Sequence, residues 1–325
     1  MTFGRRKFLT LAGGAAIARP VSALAQQPPR VRRIAFAHSG IPADKLTETG
    51  GTFWIRRFLE ELRRLGFAEG GNLVIERFSA EGNSSRFAAI AADVVAAKPE
   101  VIIANSTPFV KAFQSATTTI PIVGIVSDPV ASGLASNLAR PGGNLTGVIV
   151  DAGPGIAAKR LQILKETVPS AAKIAFLIDS RSEEERAGIA VKFKVLAAVD
   201  KTHLRRAFAE LAADQADGVV IGEHGNFIAQ RSLIVELAAM HRLPAIYPYR
   251  NQAAAGGLMS YGPELGELAK RMALSVQQIL GGAKPGDVPI HQPVKFEMVL
   301  NLKTAKELGL TIAPLLLAQA DEVIE

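Results

Sequence analysis

Short apolar segments without a polar break recur between helical segments along most of this chain, and that alternation leaves few folds open. A strand buried on both faces reads as a continuous apolar run, and helices between such strands imply a parallel sheet covered on both sides. In the first half, Arg33–His38, Leu73–Phe78, Val101–Ala104 and Ile120–Val126 read as strands. Between them, Phe53–Leu65, Arg86–Ala97 and Phe109–Ala116 read as helices. Phe58, Leu59, Leu62 and Leu65 line one face of the first of these, and Gly66 stops it.

The second half repeats the pattern. Lys173–Ile178, Lys194–Ala198, Gly218–Ile221, Pro244–Tyr247, Leu258–Tyr261 and Val299–Asn301 are the expected strands. Ala157–Thr167, Glu183–Ala190, Thr202–Ala213 (Thr202 a candidate N-cap), Ile228–His241, Leu265–Leu280 and Thr304–Leu308 are the expected helices. The fold class is α/β, with two doubly wound parallel-sheet lobes joined by a hinge. Residues 31–150, with a helix near 264–281, form the first lobe, and residues 151–262 with 288–325 the second. The Gly- and Pro-rich segment Arg140–Gly155 is the natural first crossing, and Gly142–Gly147 within it reads as a turn. Gly256–Gly262 and the stretch around Pro289–Pro293 are further hinge candidates.

The N-terminus reads as an address. Arg5-Arg6 precede Phe8-Leu9, a short apolar run follows, and Ala23-Leu24-Ala25 forms a small-x-small site. That order is the pattern of a cleavable twin-arginine export signal over residues 1–25, which places the mature chain in the periplasm. Removing those residues takes away Arg5, Arg6, Lys7 and Arg19 and no acid, so the net charge of +7 falls to +3. The basic residues are scattered, with no basic stripe interleaved with aromatics, which argues against a nucleic-acid partner. The absence of cysteine excludes disulfides, thiolate metal sites and thiol nucleophiles.

In open α/β sheets, ligands bind beyond the carboxyl ends of the strands. Those ends carry His38 and Ser39, then Asn105, Ser106 and Thr107, then Ser127 and Asp128. In the second half they carry Asp179 and Ser180, Glu223 and His224, and Tyr247 to Arg250. Ser106-Thr107-Pro108 opens a helix and can hold a carboxylate or simply cap it. Asp128 can pair with a ligand ammonium or cap a short helix. Tyr247, Tyr249 and Tyr261 are all the tyrosines, and at least one is expected to line a cleft. Trp54 either stacks on a ligand at the cleft edge or packs on the first lobe. His38 and His224 either meet across a cleft or are solvated. No histidine pair has i, i+4 metal spacing, and no nucleophile–base–oxyanion set assembles, so neither metal, cofactor nor enzyme activity is expected.

Several long runs are familiar. Thr117–Val123 leads to Ser127-Asp128-Pro129-Val130, then Leu134–Gly147, Ala254–Gly262 and Phe296–Ala305. Together they closely resemble the ABC transporter substrate-binding protein family of type 1 periplasmic-binding fold, with its tryptophan/tyrosine-type branch. The resemblance implies a monomeric bilobed receptor that closes on a small solute and delivers it to a membrane permease. It also implies ligand contacts at Ser39, Ser106, Thr107, Asp128 and the Tyr247 region, with an aromatic amino acid or related carboxylate as the solute; Asp179 at its strand end and Tyr261 complete the candidate ligand-binding set. The same fold also serves sensory receptors and, more rarely, enzymes. Two departures stand out: the helix after Asp179 is short, and Arg250-Asn251-Gln252 stands where relatives often carry Arg-Glu-Phe.

Overall fold

The computed structural model describes residues 31–150, 155–178, 194–197, 200–223, 227 and 230–325. The expected export signal, Asp179 and the helix expected at Glu183–Ala190 lie outside these residues.

Two sheets form the frame. The first is six-stranded, in the spatial order β11 (Ile290–His291), β5 (Leu145–Ile149), β4 (Ile122–Val126), β3 (Val101–Asn105), β1 (Arg32–His38) and β2 (Leu73–Ser79). All its pairings are parallel. Side chains alternate across its faces by size. Ile34 and Phe36 pack beneath α1 (Phe53–Arg64) and α8 (Leu265–Leu280), while Ala35 and Ala37 face α2 (Phe87–Ala96) and α3 (Thr107–Ala116). Helix α1 buries Ile55, Phe58, Leu59 and Leu62, the i, i+3, i+4, i+7 stripe of an amphipathic helix, and its main neighbour is α8.

The second sheet is seven-stranded. Its order is β13 (Glu322–Ile324), β12 (Phe296–Asn301), β10 (Met259–Pro263), β9 (Ala245–Tyr247), β8 (Gly218–Ile221), β6 (Ile174–Ile178) and β7 (Lys194–Ala197). Only the β10–β12 pairing is antiparallel. Its covering helices are α4 (Gly155–Thr167), α5 (Lys201–Ala213), α6 (Arg231–Met240), α7 (Arg250–Ala254), α9 (Leu302–Leu308) and α10 (Pro314–Gln319). Asp200, not Thr202, caps α5: its Oδ1 accepts from the His203 N–H at 2.9 Å.

Three segments cross between the sheets. The chain leaves β5 and enters α4, leaves β10 and enters α8 on the first sheet, and leaves β11 to enter β12. Each crossing departs from or arrives at the carboxyl edge of a sheet, because β12 runs against β10 and therefore starts at that edge. The carboxyl edges of the two sheets are thus the ends brought together. The second and third crossings are bonded to each other, with the Glu264 N–H donating to the Lys295 carbonyl at 3.1 Å.

Three expectations change. The Gly142–Gly147 stretch is not all turn, because Leu145–Ile149 is strand β5. Gly256–Gly262 is not a crossing, since Gly262 sits inside β10 opposite Glu297, and the crossing begins after Pro263. Finally, Ile290–His291 joins the first sheet beside β5, although it lies in the stretch assigned to the second lobe. The Thr146 hydroxyl fastens it by donating to the Val288 carbonyl at 2.9 Å.

Strand β5 hides in a glycine-rich run for a packing reason. Gly147 faces Gly124 of β4 at φ +137°, and a Cβ on Gly147 would overlap the Gly124 backbone. Only glycine fits. Gly147→Ala is therefore expected to lower stability by about 2–4 kcal/mol, read as a fall in the urea midpoint. Gly143→Ala, at φ +60° with open space around it, should cost only about 1 kcal/mol. Equal losses at both sites would show that the β4–β5 approach is not what demands glycine.

Candidate functional site

The carboxyl edge of the first sheet is a small network of short polar side chains. At the end of β1, the Ser39 N–H donates to Asn105 Oδ1 at 2.7 Å, and Asn105 Nδ2 donates to Ser39 Oγ at 3.0 Å. This reciprocal pair joins β1 to β3. At the start of α3, Thr107 Oγ1 accepts from the Ser127 N–H at 3.1 Å and joins β3 to β4. Between them stands Ser106. Its backbone has φ +68°, a left-handed conformation that costs a non-glycine residue about 1–2 kcal/mol. Its Oγ is buried and has no partner among the described residues. A strained backbone and an unused hydroxyl thus stand together at the N-terminus of a ten-residue helix.

Asp128 is partly engaged locally. Its Oδ1 accepts from the N–H groups of Val130 at 3.1 Å and Ala131 at 2.9 Å, the capping use of this side chain, although no regular helix follows.

His38 is not solvated. It is 7% exposed, and its ring stacks on Trp54 with centroids 6.3 Å apart. Its Nδ1 accepts from the N–H groups of Gly40 at 3.0 Å and Ile41 at 2.8 Å. Burial lowers its pKa to about 3, so the imidazole is neutral, with the proton on Nε2. Trp54 in turn packs on Phe36 and Phe58, with centroids 5.9 and 6.4 Å away. His224 lies outside the described residues.

In the second sheet, Tyr247 is a core residue rather than a surface at the strand ends. It is 1% exposed, and burial pushes its phenol well above the usual range. Its ring lies against Gly257, where any Cβ would collide with it. With Leu243, Ala245 and Leu258 it borders a cavity of about 320 Å³ at the amino ends of β9 and β10, away from the crossings. Tyr249 is also buried, among first-sheet core residues and α8. Tyr261 alone of the three keeps partial exposure, and it stacks on Phe296 with centroids 6.0 Å apart and planes 18° from parallel.

Two charged groups at this edge, Arg160 and Glu297, escaped sequence reasoning. Arg160, 2% exposed, donates from Nε to the Tyr261 carbonyl at 2.7 Å and pairs with Glu223 through Nη2. Its signal was available: an arginine on the apolar stripe of α4, beside Leu161 and Leu164. Arg250 grips Glu322 bidentately at 2.6 and 2.8 Å. Glu297 stands near this second pair, and burial, then Glu264, raise its carboxyl to about 7. Among the described residues no cluster of three or more His, Asp or Glu side chains could hold a metal ion, and no helix is long and apolar enough to cross a membrane.

Glu297 gives a pH-dependent expectation. Its folded pKa lies above the ordinary 4.5, so the folded state holds the proton more tightly than the unfolded chain. Stability linked to it is complete below pH 4.5 and is lost as pH rises toward 7. Glu297→Gln should raise the melting temperature relative to wild type at pH 8 and leave it unchanged at pH 4. A gain of equal size at both pH values would contradict this.

Comparison with known proteins agrees with this architecture. The family model described as ABC transporter substrate binding protein matches residues 54–324. A tyrosine-binding protein of Clostridioides difficile is 25% identical over 268 residues, which span 78% of this chain and 75% of that protein. A conserved domain protein of Vibrio cholerae superposes with a TM-score of 0.79 at 24% identity, covering 90% of this chain and 100% of its own. An ABC domain from Streptococcus pneumonia in complex with L-Trp superposes with a TM-score of 0.78 at 22% identity, with the same coverage. The match to the family model extends over most of the chain, which therefore belongs to the ABC transporter substrate-binding protein family.

Proposed function

We propose that this chain is an extracytoplasmic receptor that takes an aromatic amino acid or a related carboxylate into the cleft between its lobes for uptake by a membrane permease. As a member of its family it has a small-molecule ligand and a permease partner, and substrate-binding proteins of ABC importers work outside the cytoplasm. The finer assignment rests first on Ser106, whose buried unpartnered hydroxyl tops α3 beside the Ser39–Asn105 and Thr107–Ser127 bonds. A carboxylate fits that place, because helix N-terminal N–H groups and a hydroxyl both donate to it. Two relatives support the solute class, one described as tyrosine-binding and one in complex with L-Trp.

In this reading the second lobe closes over the solute through Tyr261 on its Phe296 backing, and Asp128 or Asp179 meets the ammonium group. Tyr247 serves the lobe's core. Ligand contacts made only when the lobes meet favour the closed form, which the permease then recognises. The expected twin-arginine leader over residues 1–25 suits a periplasmic receptor, and the scaffold is read as a monomer without a cofactor.

Thermal melting of the mature chain with L-tryptophan and L-tyrosine tests the reading. A specific ligand at 100 times its Kd should add about 2.7 kcal/mol of stability, seen as a concentration-dependent rise in Tm. Ser106→Ala should weaken that ligand about tenfold, from the loss of one hydrogen bond to a charged group. A shift with some other solute of a broad panel, but none with either aromatic amino acid, would refute the solute class. No shift with any panel solute would refute the receptor reading for the purified chain.

A further inference from the structure

His38 is a donor that the fold holds ready and leaves unused. It is the last residue of β1 and so lies at the carboxyl edge, next to Ser39 of the network described above. Two backbone N–H groups, from Gly40 and Ile41, occupy Nδ1 at 3.0 and 2.8 Å. An imidazole nitrogen that accepts twice carries no proton, so the ring's single proton is on Nε2. The ring plane is set by the stack on Trp54, whose own position is set by Phe36 and Phe58. No described residue accepts from Nε2–H, and since Nε2 is not among the buried atoms left without a partner, the 7% exposure of His38 includes this edge of its ring. That edge is therefore the part of the ring a solute can reach.

A second idle group lies at the same helix end. Thr52 is the N-cap of α1, two residues before Trp54, yet its side chain makes no capping bond, and its Oγ1 is buried without a partner. A hydroxyl at an N-cap ordinarily accepts from the second or third helical N–H. Here the start of α1 keeps both that hydroxyl and its first N–H groups for another use. The network at β3 and β4, by contrast, spends most of its polar atoms on itself.

We propose that His38 is a ligand-binding residue, donating its Nε2–H as a fixed uncharged donor to an oxygen atom of the bound solute, with Trp54 holding the ring in place. This deepens the reading of the cleft as an aromatic amino-acid site and rests on it. An uncharged donor can donate to either a carboxylate oxygen or a ring hydroxyl. It also separates this role from that of a titrating histidine, because the ring stays neutral across the physiological range.

The probe is L-tyrosine, with L-phenylalanine (no ring hydroxyl) and tyramine (no carboxylate) as arms, bound to the mature chain and to His38→Asn. Asparagine places its Oδ1 near the position of Nδ1, so Gly40 and Ile41 keep their acceptor while the Nε2–H is removed. L-Tyrosine should bind His38→Asn at least tenfold more weakly in calorimetry. The penalty should vanish with L-phenylalanine if the donor meets the phenol, and with tyramine if it meets the carboxylate. An unchanged affinity, or the same penalty for every probe, would overturn the proposal, the latter because it marks a purely structural role. Should the variant not fold, wild type labelled with ¹⁵N-histidine decides: the His38 Nε2–H resonance should shift on saturation with L-tyrosine, and a resonance that stays put overturns the proposal. If wild type binds neither L-tyrosine nor L-tryptophan, the solute class itself fails and this inference falls with it. Binding by wild type with no effect at His38 rejects the histidine alone.

Discussion

Everything here follows from burying parallel strands on both faces. Helices cover the sheets above and below, so side chains such as Phe36 and Ala37, or Phe176 and Leu177, meet opposite cores and cannot reach a solute. What remains open is the edge where strands end and helices begin. There the backbone leaves N–H groups unsatisfied, and short polar residues collect to satisfy them or to wait. The crossings leave from the same edge, which brings two such rims together. The proposed binding chemistry and the crossings thus share one address for one reason.

Much of this was legible in the residues. The strand–helix rhythm told the fold class, and the strand-end rule pointed to the edge where Ser39, Asn105, Ser106, Thr107 and Asp128 stand. The failures have physical causes. Strand β5 was hidden because its Gly147 exists for contact with Gly124, a constraint from another strand that a linear reading takes for a turn signal. Strand β11 spans two residues, too few for a period. Tyr247 was placed at the rim because tyrosine is amphipathic, yet the missing side chain of Gly257 makes room for its ring inside the core. The Ser39–Asn105 pair joins residues 66 positions apart, and no local pattern announces it.

The two lobes handle charge differently at the shared edge. The first uses hydroxyls, an amide, an imidazole kept uncharged by burial and one carboxylate, Asp128, held by local N–H groups. The second uses ion pairs, with Arg160 nearly sealed against Glu223 and Arg250 gripping Glu322. A buried pair of this kind gains little net stability, but it is expensive to break and so fixes the relative placement of α4, β8 and β10.

The bond between Glu264 and Lys295 carries a mechanical meaning. Two crossings joined side by side form a ribbon rather than two strings. A ribbon bends easily about the axis across its width and resists shear within its plane. For the closure proposed above, that favours a single swing, like a door on a strap, with the rims meeting in one register.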